Sequence, residues 1–221
     1  MNITMDLAVA VIAKECLPGR VKTRLTPPLT PSEAAYIAQL SLARTLETVR
    51  LLPARERMLV IDGTPRSRDA AGFTVVAQAG GSLDERLAAI CDSVDGPLLI
   101  IGMDTPQFSM EHAAPLLRDW ASAAPVHDAW LGPAADGGFW ALALRRPDGA
   151  LIRGVPMSTG TTGAEQLARL SAAGLSVGQL TALRDMDYFD DAVQIAAEIP
   201  GTRFAAAVAA AGENLHAGAR P

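Results

Sequence analysis

Short apolar runs rich in branched side chains alternate, along nearly the whole of this 221-residue chain, with segments whose apolar residues recur at helical spacing. Leu7 to Ile12, Met58 to Ile61, Phe73 to Ala77, Pro97 to Ile101, Ala129 to Leu131, Phe139 to Leu144 and Leu175 to Leu183 read as strands. Between them, Pro31-Ser32-Glu33 opens a helix with Ser32 as its N-cap, and Ile37, Leu40, Ala43, Leu46 and Val49 follow on one face up to Pro53. Further helices are expected over Leu83 to Val94, where Ser82 and Glu85 have capping-box spacing, and over Ser109 to Ala121, Thr162 to Ala173 and Tyr188 to Glu198. An Ala-rich helix and a frayed tail follow from about residue 201 to 221. Such alternation specifies an α/β fold with a mostly parallel central sheet flanked by helices, and the ligands of such sheets sit at the carboxyl ends of the strands. The length fits one domain over residues 1–221, and no linker or internal repeat divides it. The unbroken apolar run Pro97 to Ile101 reads as a central strand buried on both faces.

The first strand leads into Ala13-Lys14-Glu15-Cys16-Leu17-Pro18-Gly19-Arg20-Val21-Lys22-Thr23-Arg24-Leu25. Only two of the chain's 19 basic residues are lysines, Lys14 and Lys22, and both fall in this loop. In a chain that otherwise uses arginine, these are positions where a compact ammonium is called for, as in contacts to phosphate oxygens. Lys14, Arg20, Lys22 and Arg24 repel one another unless an anion joins them, so the loop suits a phosphorylated ligand; a solvated surface loop is the plainer alternative.

Charge and cysteine content exclude other classes. A formal net charge of -5, with the cations gathered in one loop, argues against a nucleic-acid binder and for a small anionic ligand. Cys16 and Cys91 are too few for a disulfide framework and read as reduced thiols, with Cys16 open to a lowered pKa among the cations. The opening segment carries Asp6 and lacks a basic leader, and no window reaches the roughly 20 apolar residues that span a bilayer. The expectation is a cytoplasmic protein with no membrane partner. His112, His127 and His216 are scattered without zinc or triad spacing, and Trp120, Trp130 and Trp140 read as core or pocket walls.

The acidic residues add a second element. Asp104 follows the most apolar strand and so projects from the sheet edge that also carries the cationic loop. A carboxylate beside a polyphosphate site is a usual ligand for Mg2+ or Mn2+, which stabilises a departing pyrophosphate or nucleoside diphosphate. Asp185 and Asp187 share a face if extended, and one of them could complete the metal site. The alternatives are that Asp104 caps the next turn and that the pair complements a helix dipole. Asp136-Gly137-Gly138 is a turn signal whose glycines also allow backbone amides to approach a ligand.

Taken in order, Pro18-Gly19-Arg20-Val21-Lys22-Thr23-Arg24-Leu25, Gly102-Met103-Asp104-Thr105-Pro106, Leu131 to Phe139 around Asp136-Gly137-Gly138, Ser158-Thr159 and Asp185-Met186-Asp187 resemble the bacterial selenodomain-associated transferase 1 family. That family is similar in turn to the phospholactate and molybdopterin guanylyltransferases. The resemblance implies a single-domain glycosyltransferase-A (nucleotide-diphospho-sugar transferase) fold. It implies that Lys14, Arg20, Lys22 and Arg24 bind the nucleotide, that Lys22 and Asp104 act in catalysis, and that Asp104 and Asp187 hold Mg2+ or Mn2+. It also implies that Asp136, Gly137, Gly138, Ser158 and Thr159 line the acceptor side.

The chain departs from the family pattern at three places. Met103 and Thr105 stand where the family has serine and cysteine around the aspartate, Met157 where it has tryptophan, and Tyr188-Phe189 where it has threonine-proline. These bear on the acceptor, while the aspartates remain. Two reactions fit: metal-dependent transfer of a glycosyl group from a nucleotide sugar to a small-molecule acceptor, and nucleotidyl transfer from a nucleoside triphosphate with loss of pyrophosphate. A nucleotide-binding protein without catalysis is the third reading. Base, acceptor and oligomeric state are not legible.

Overall fold

The computed structural model describes residues 5–218, with side chains described through residue 215. Its centre is β1 (Met5–Lys14), buried along most of its length. Leu7, Val9, Val11 and Ala13 face one side of the sheet, while Ala8, Ala10 and Ile12 face the other. An apolar residue at every position is what a strand covered on both faces requires. β1 pairs in parallel with β2 (Ala54–Asp62) on one side and with β4 (Leu98–Gly102) on the other.

Seven strands form one sheet in the order β3-β2-β1-β4-β6-β5-β7, with β3 spanning Thr74–Ala77, β5 Ala129–Pro133, β6 Phe139–Leu144 and β7 Val177–Gln179. β6 runs antiparallel to both β4 and β5. Residues 134–138 close β5 onto β6 as a short hairpin, and so tight a connection leaves no room for the crossover a parallel pair needs. The sheet is therefore mostly parallel, as expected, with one reversed strand. Leaving β1, the chain adds strands first toward β3 and then, from β4, in the other direction. The crevice outside the carboxyl ends of β1 and β4 lies at this reversal, the position at which open α/β sheets bind ligands.

Seven α-helices complete the described fold. α1 (Pro31–Leu51) packs Ala38, Leu42, Leu46 and Val49 against one face of the sheet, beside Phe108 and Leu116 from the β4 loop and α4 (Met110–Trp120). The opposite face is covered by Leu87, Ala88, Ile90 and Cys91 of α3 (Leu83–Asp92) and Leu170 of α5 (Thr162–Ala172). α2 (Ser67–Ala70) is a single turn that the sequence did not announce. α6 (Phe189–Glu198) and α7 (Arg203–Gly218) bury Ala192, Ile195, Phe204, Val208 and Ala211 against the outer side of α1, with Ile37 and Leu40. The Ala-rich segment is thus a packed helix, and residues 219–221 of the expected tail lie outside the described residues. Among the described residues, no helix is long and apolar enough to cross a membrane.

Local differences from expectation have physical causes. α1 is capped by Thr30, not Ser32: Thr30 Oγ1 accepts from Glu33 N at 3.2 Å and Glu33 Oε2 accepts from Thr30 N at 2.9 Å, which puts Pro31 at the first helical position. Lys14 is the last residue of β1 and not part of the loop. The segment Leu175 to Leu183 is strand only over β7, an edge strand that pairs with β5 alone. Beyond it, contact with the β5 end continues through Leu180 N to Leu131 O and an isolated bridge at Leu183. The three tryptophans are buried or half-buried walls, each with its indole N–H donated: Trp120 to His127 O, Trp130 to Asp119 Oδ2 and Trp140 to Thr181 O.

Leu46 is fully buried between α1 and the sheet. Leu46→Ala should lower unfolding stability by about 2–5 kcal/mol, the cost of a cavity at such a site, as measured by urea denaturation.

Candidate functional site

The parallel register of β1 and β4 sets Ile12 beside Gly102, so both loops leave the sheet at the same level. Lys14 N donates to Met103 Sδ at 3.2 Å, which ties the two exits together directly. Met103, the residue that departs from the family pattern, therefore makes this link with its thioether. The Asp104 loop is also clamped from α1: Ser41 Oγ donates to Met103 O at 2.6 Å, Arg44 Nε to Pro106 O at 2.7 Å and Thr48 Oγ1 to Phe108 O at 3.2 Å. Residues at i, i+3 and i+7 lie on one helix face, so one side of α1 holds the loop by three of its carbonyls. These residues were not expected at the site. Their signal was polar side chains, Ser41 fully buried, on an otherwise apolar helix face.

The loop before α6 is brought to the same place. Met186 N donates to Asp104 O at 3.0 Å and Gln107 Nε2 donates to Arg184 O at 2.6 Å. Asp187 precedes α6 but does not cap it. That role falls to Asp191, whose Oδ2 accepts from Tyr188 N at 2.8 Å. The Asp187 carboxylate is left facing the crevice, where Lys22 Nζ lies 3.1 Å from its Oδ1 and Arg24 Nη1 lies 2.8 Å from its Oδ2. The same Lys22 Nζ is 2.9 Å from Asp104 Oδ2. The two aspartates named from the sequence thus face each other across a lysine. Burial alone would lower the Lys22 pKa, but Asp104 and Asp187 together outweigh it and hold the ammonium above its ordinary value.

Lys22 was expected on nucleotide phosphates, and here it bridges carboxylates instead. Its side chain is 9% exposed, whereas that of Arg24 is 61% exposed. Lys14 and Arg20 are exposed and, among the described residues, make no side-chain ion pair. Three cations, Lys14 at the end of β1 with Arg20 and Arg24 in the loop, therefore remain accessible, and Lys22 is inserted behind them.

Asp136, Asp185 and Asp187 form a second acidic group, each offering an oxygen within 4.8 Å of the others. Asp136 also closes its own turn, its Oδ1 accepting from Gly138 N at 2.8 Å. Asp136 was expected on the acceptor side, and its carboxylate also lies within 4.8 Å of those of Asp185 and Asp187. Crowding raises the Asp185 pKa to about 6, first through burial and then through the neighbouring charges of Asp136 and Asp187. Asp104 Oδ1 is buried without a hydrogen-bond partner, so one of its oxygens is left without a donor. The clustered oxygens of Asp136, Asp185 and Asp187 and, beyond Lys22, the orphaned oxygen of Asp104 are hard donors of the kind that suit Mg2+ or Mn2+.

On the far side of this group, Asp136-Gly137-Gly138 packs backbone to backbone against the segment that precedes α5. Gly137 has φ +91°, and a Cβ there would collide with Gly160 O. Gly163 N donates to Gly137 O at 2.8 Å. Ser158, at φ 59°, and Thr159 belong to this segment, so the residues expected on the acceptor side do adjoin one another. Cys16 departs from its expectation. Burial first, then Asp104, Asp69 and Glu15 against an opposing Arg66, push its thiol up to about 12, which is not an activated nucleophile.

A sequence model of one bacterial protein family matches residues 45–159, just over half of the chain. The chain belongs to this family, DUF2064, described as "Uncharacterized protein conserved in bacteria". The matched DUF2064 segment includes Asp104, Asp136 to Gly138, Ser158 and Thr159, and leaves out the cationic loop and Asp187. No curated protein matches the sequence. Among solved structures, a protein described as a candidate nucleotide-diphospho-sugar transferase from Desulfovibrio desulfuricans G20 is 21% identical, with a TM-score of 0.82 over 96% of this chain and 98% of that one. CMP:2-keto-3-deoxy-manno-octonic acid synthetase, solved with CTP, is 14% identical, with a TM-score of 0.51 over 83% of this chain and 94% of that one. A homologue of Mycobacterium tuberculosis rv0371c from Mycobacterium sp. strain JC1 is 16% identical, with a TM-score of 0.54 over 86% and 96%. At these identities the likeness establishes the fold alone, a mixed α/β domain shared with the candidate nucleotide-diphospho-sugar transferase.

Because Asp185 is protonated more readily in the folded chain than in the unfolded one, its ionisation opposes folding above about pH 6. Its favourable contribution is complete below the ordinary value of 3.8 and is lost as pH rises through 6. Asp185→Asn should therefore stabilise the metal-free protein by about 1 kcal/mol at pH 7.5, after allowance for solvent screening, with the gain gone below pH ~4 in urea unfolding curves.

Proposed function

We propose that this member of DUF2064 is a metal-dependent transferase that moves a glycosyl group from a nucleotide sugar to a small-molecule acceptor, in the manner of the selenodomain-associated transferases it resembles. The observation that carries the reading is the meeting of Asp104 and Asp187, from two separate loops, beside a cationic loop at the reversal point of the sheet. Asp104 and Asp187, with Asp185 and Asp136 adjoining, would hold Mg2+ or Mn2+. That cation would supply charge stabilisation to the departing nucleoside diphosphate.

The remaining roles fall to the chain's own residues. Lys14, Arg20 and Arg24 would lie along the phosphates as exposed donors, and Lys22 would join them to neutralise the developing charge. The turn Asp136 to Gly138 with Ser158 and Thr159 would border the acceptor. The α1 clamp on the Asp104 loop would fix the distance between metal and phosphate, which matters because catalysis of this kind is mostly positioning and electrostatics.

Nucleotidyl transfer from a nucleoside triphosphate is the second reading. It is favoured by one feature, the four cations at the end of β1 and along the loop after it, which match a triphosphate chain better than a diphosphate. A cytoplasmic setting, a single domain and the absence of nucleic-acid or membrane partners belong to the same proposal.

The test is a thermal-shift panel of nucleotide sugars and nucleoside triphosphates, each with and without Mg2+ or Mn2+. A bound ligand at about 100 times its Kd adds roughly 2.7 kcal/mol, or about 5–10 °C for a chain of this size. A metal-dependent shift with a nucleotide sugar is expected, and Asp104→Asn should abolish its metal dependence. A shift with triphosphates alone would turn the assignment to nucleotidyl transfer, and binding indifferent to metal would overturn the metal site.

A further inference from the structure

The ammonium of Lys22 stands between the two carboxylates that the proposed function assigns to a divalent cation. It contacts one oxygen of each, at 2.9 and 3.1 Å, from a side chain almost wholly removed from solvent. A divalent cation sits about 2.0–2.6 Å from its carboxylate oxygens, so one that bridges Asp104 Oδ2 and Asp187 Oδ1, the two oxygens Lys22 holds, would be in contact with its ammonium. Two unscreened positive charges at that separation exclude each other. The backbone of Lys22 bears on the same point. Its φ of 47° and ψ of 45° are left-handed, a region that residues with a Cβ seldom occupy, and the side chain reaches the carboxylates from there. Arg24, by contrast, approaches Asp187 from the open side through the other oxygen and need not move.

We propose that Lys22 is an internal counter-cation of the metal site: without phosphate it closes the Asp104–Asp187 pair, and it yields that place to a divalent cation when a polyphosphate offers its ammonium new oxygens. The proposal rests on the assignment of these aspartates to metal. It adds that metal and phosphate bind cooperatively, because each removes a cost that the other meets alone. Metal alone must displace a buried ammonium into water. Phosphate alone draws Lys22 away, leaving Asp104 without its cation and Asp187 with Arg24 alone. Such coupling is reciprocal, and each ligand should raise the affinity of the other by the same factor.

The chain has only two lysines, which makes the exchange directly visible. Protein carrying 15N-labelled lysine should give two side-chain ammonium signals by NMR, assigned with Lys14→Arg. Millimolar Mg2+ alone should leave the Lys22 signal in place, and Mg2+ with inorganic pyrophosphate should move it. In parallel, Mn2+ binding without phosphate, read by electron paramagnetic resonance, should be at least about tenfold tighter in Lys22→Met than in wild type. The proposal is overturned if Lys22→Met binds Mn2+ no better than wild type, or if the Lys22 signal stays fixed with Mg2+ and pyrophosphate both present. Mn2+ binding that Asp104→Asn abolishes would in that case leave the metal assignment standing. Failure of wild type and Lys22→Met alike to bind Mn2+ would remove both.

Discussion

The parallel pairing of β1 with a strand on each side is the constraint on which the site depends. It sends the loop after β1 and the loop after β4 out of the same edge at the same level, and at the one place where the winding of the sheet reverses. No side-chain chemistry is needed to bring these loops together, because backbone register does it. Side chains then refine the meeting. The Met103 thioether takes the Lys14 amide, and α1 holds three carbonyls of the Asp104 loop.

The charges in the crevice show why its carboxylates would be costly without cations. Asp136, Asp185 and Asp187 gather around a small volume, and Asp104 faces Asp187 across Lys22. Lys22 serves two of the aspartates, Arg24 serves Asp187 as well, and Asp185, which makes no ion pair among the described residues, has a raised pKa. A site that holds like charges together stores a preference for positive partners, and stability conceded there is a common cost of a binding function. The fold tolerates it because three apolar clusters lie beneath and beside the crevice.

Much of this was legible in the residues themselves. The alternating pattern predicts the strand and helix order, and the cationic loop and Asp104 fall on the same sheet edge as expected. What the sequence withheld was orientation and pairing. Nothing in the spacing of Lys22 indicates that its side chain turns inward while Arg20 stays outside, because that depends on a left-handed backbone at one residue. The reversed direction of β6 follows from a hairpin whose turn was read correctly while its consequence for the sheet was not drawn. Asp136 was read as part of a turn and not by its charge, since Asp185 and Asp187 lie 49 and 51 residues further along the chain. Long-range contacts of this kind carry no local periodicity to read.

The close packing of the Asp136 turn against the start of α5 has a consequence for motion. Gly137 and Gly163 bring two backbones into contact with no side chain between them, joined by the amide of Gly163. Neither segment can shift against the other without breaking that hydrogen bond or opening a void. The border formed by residues 136–138 and 158–163 therefore moves as one body. Under the proposed function, discrimination among acceptors would rest on the side chains that decorate that body, such as Ser158 and Thr159.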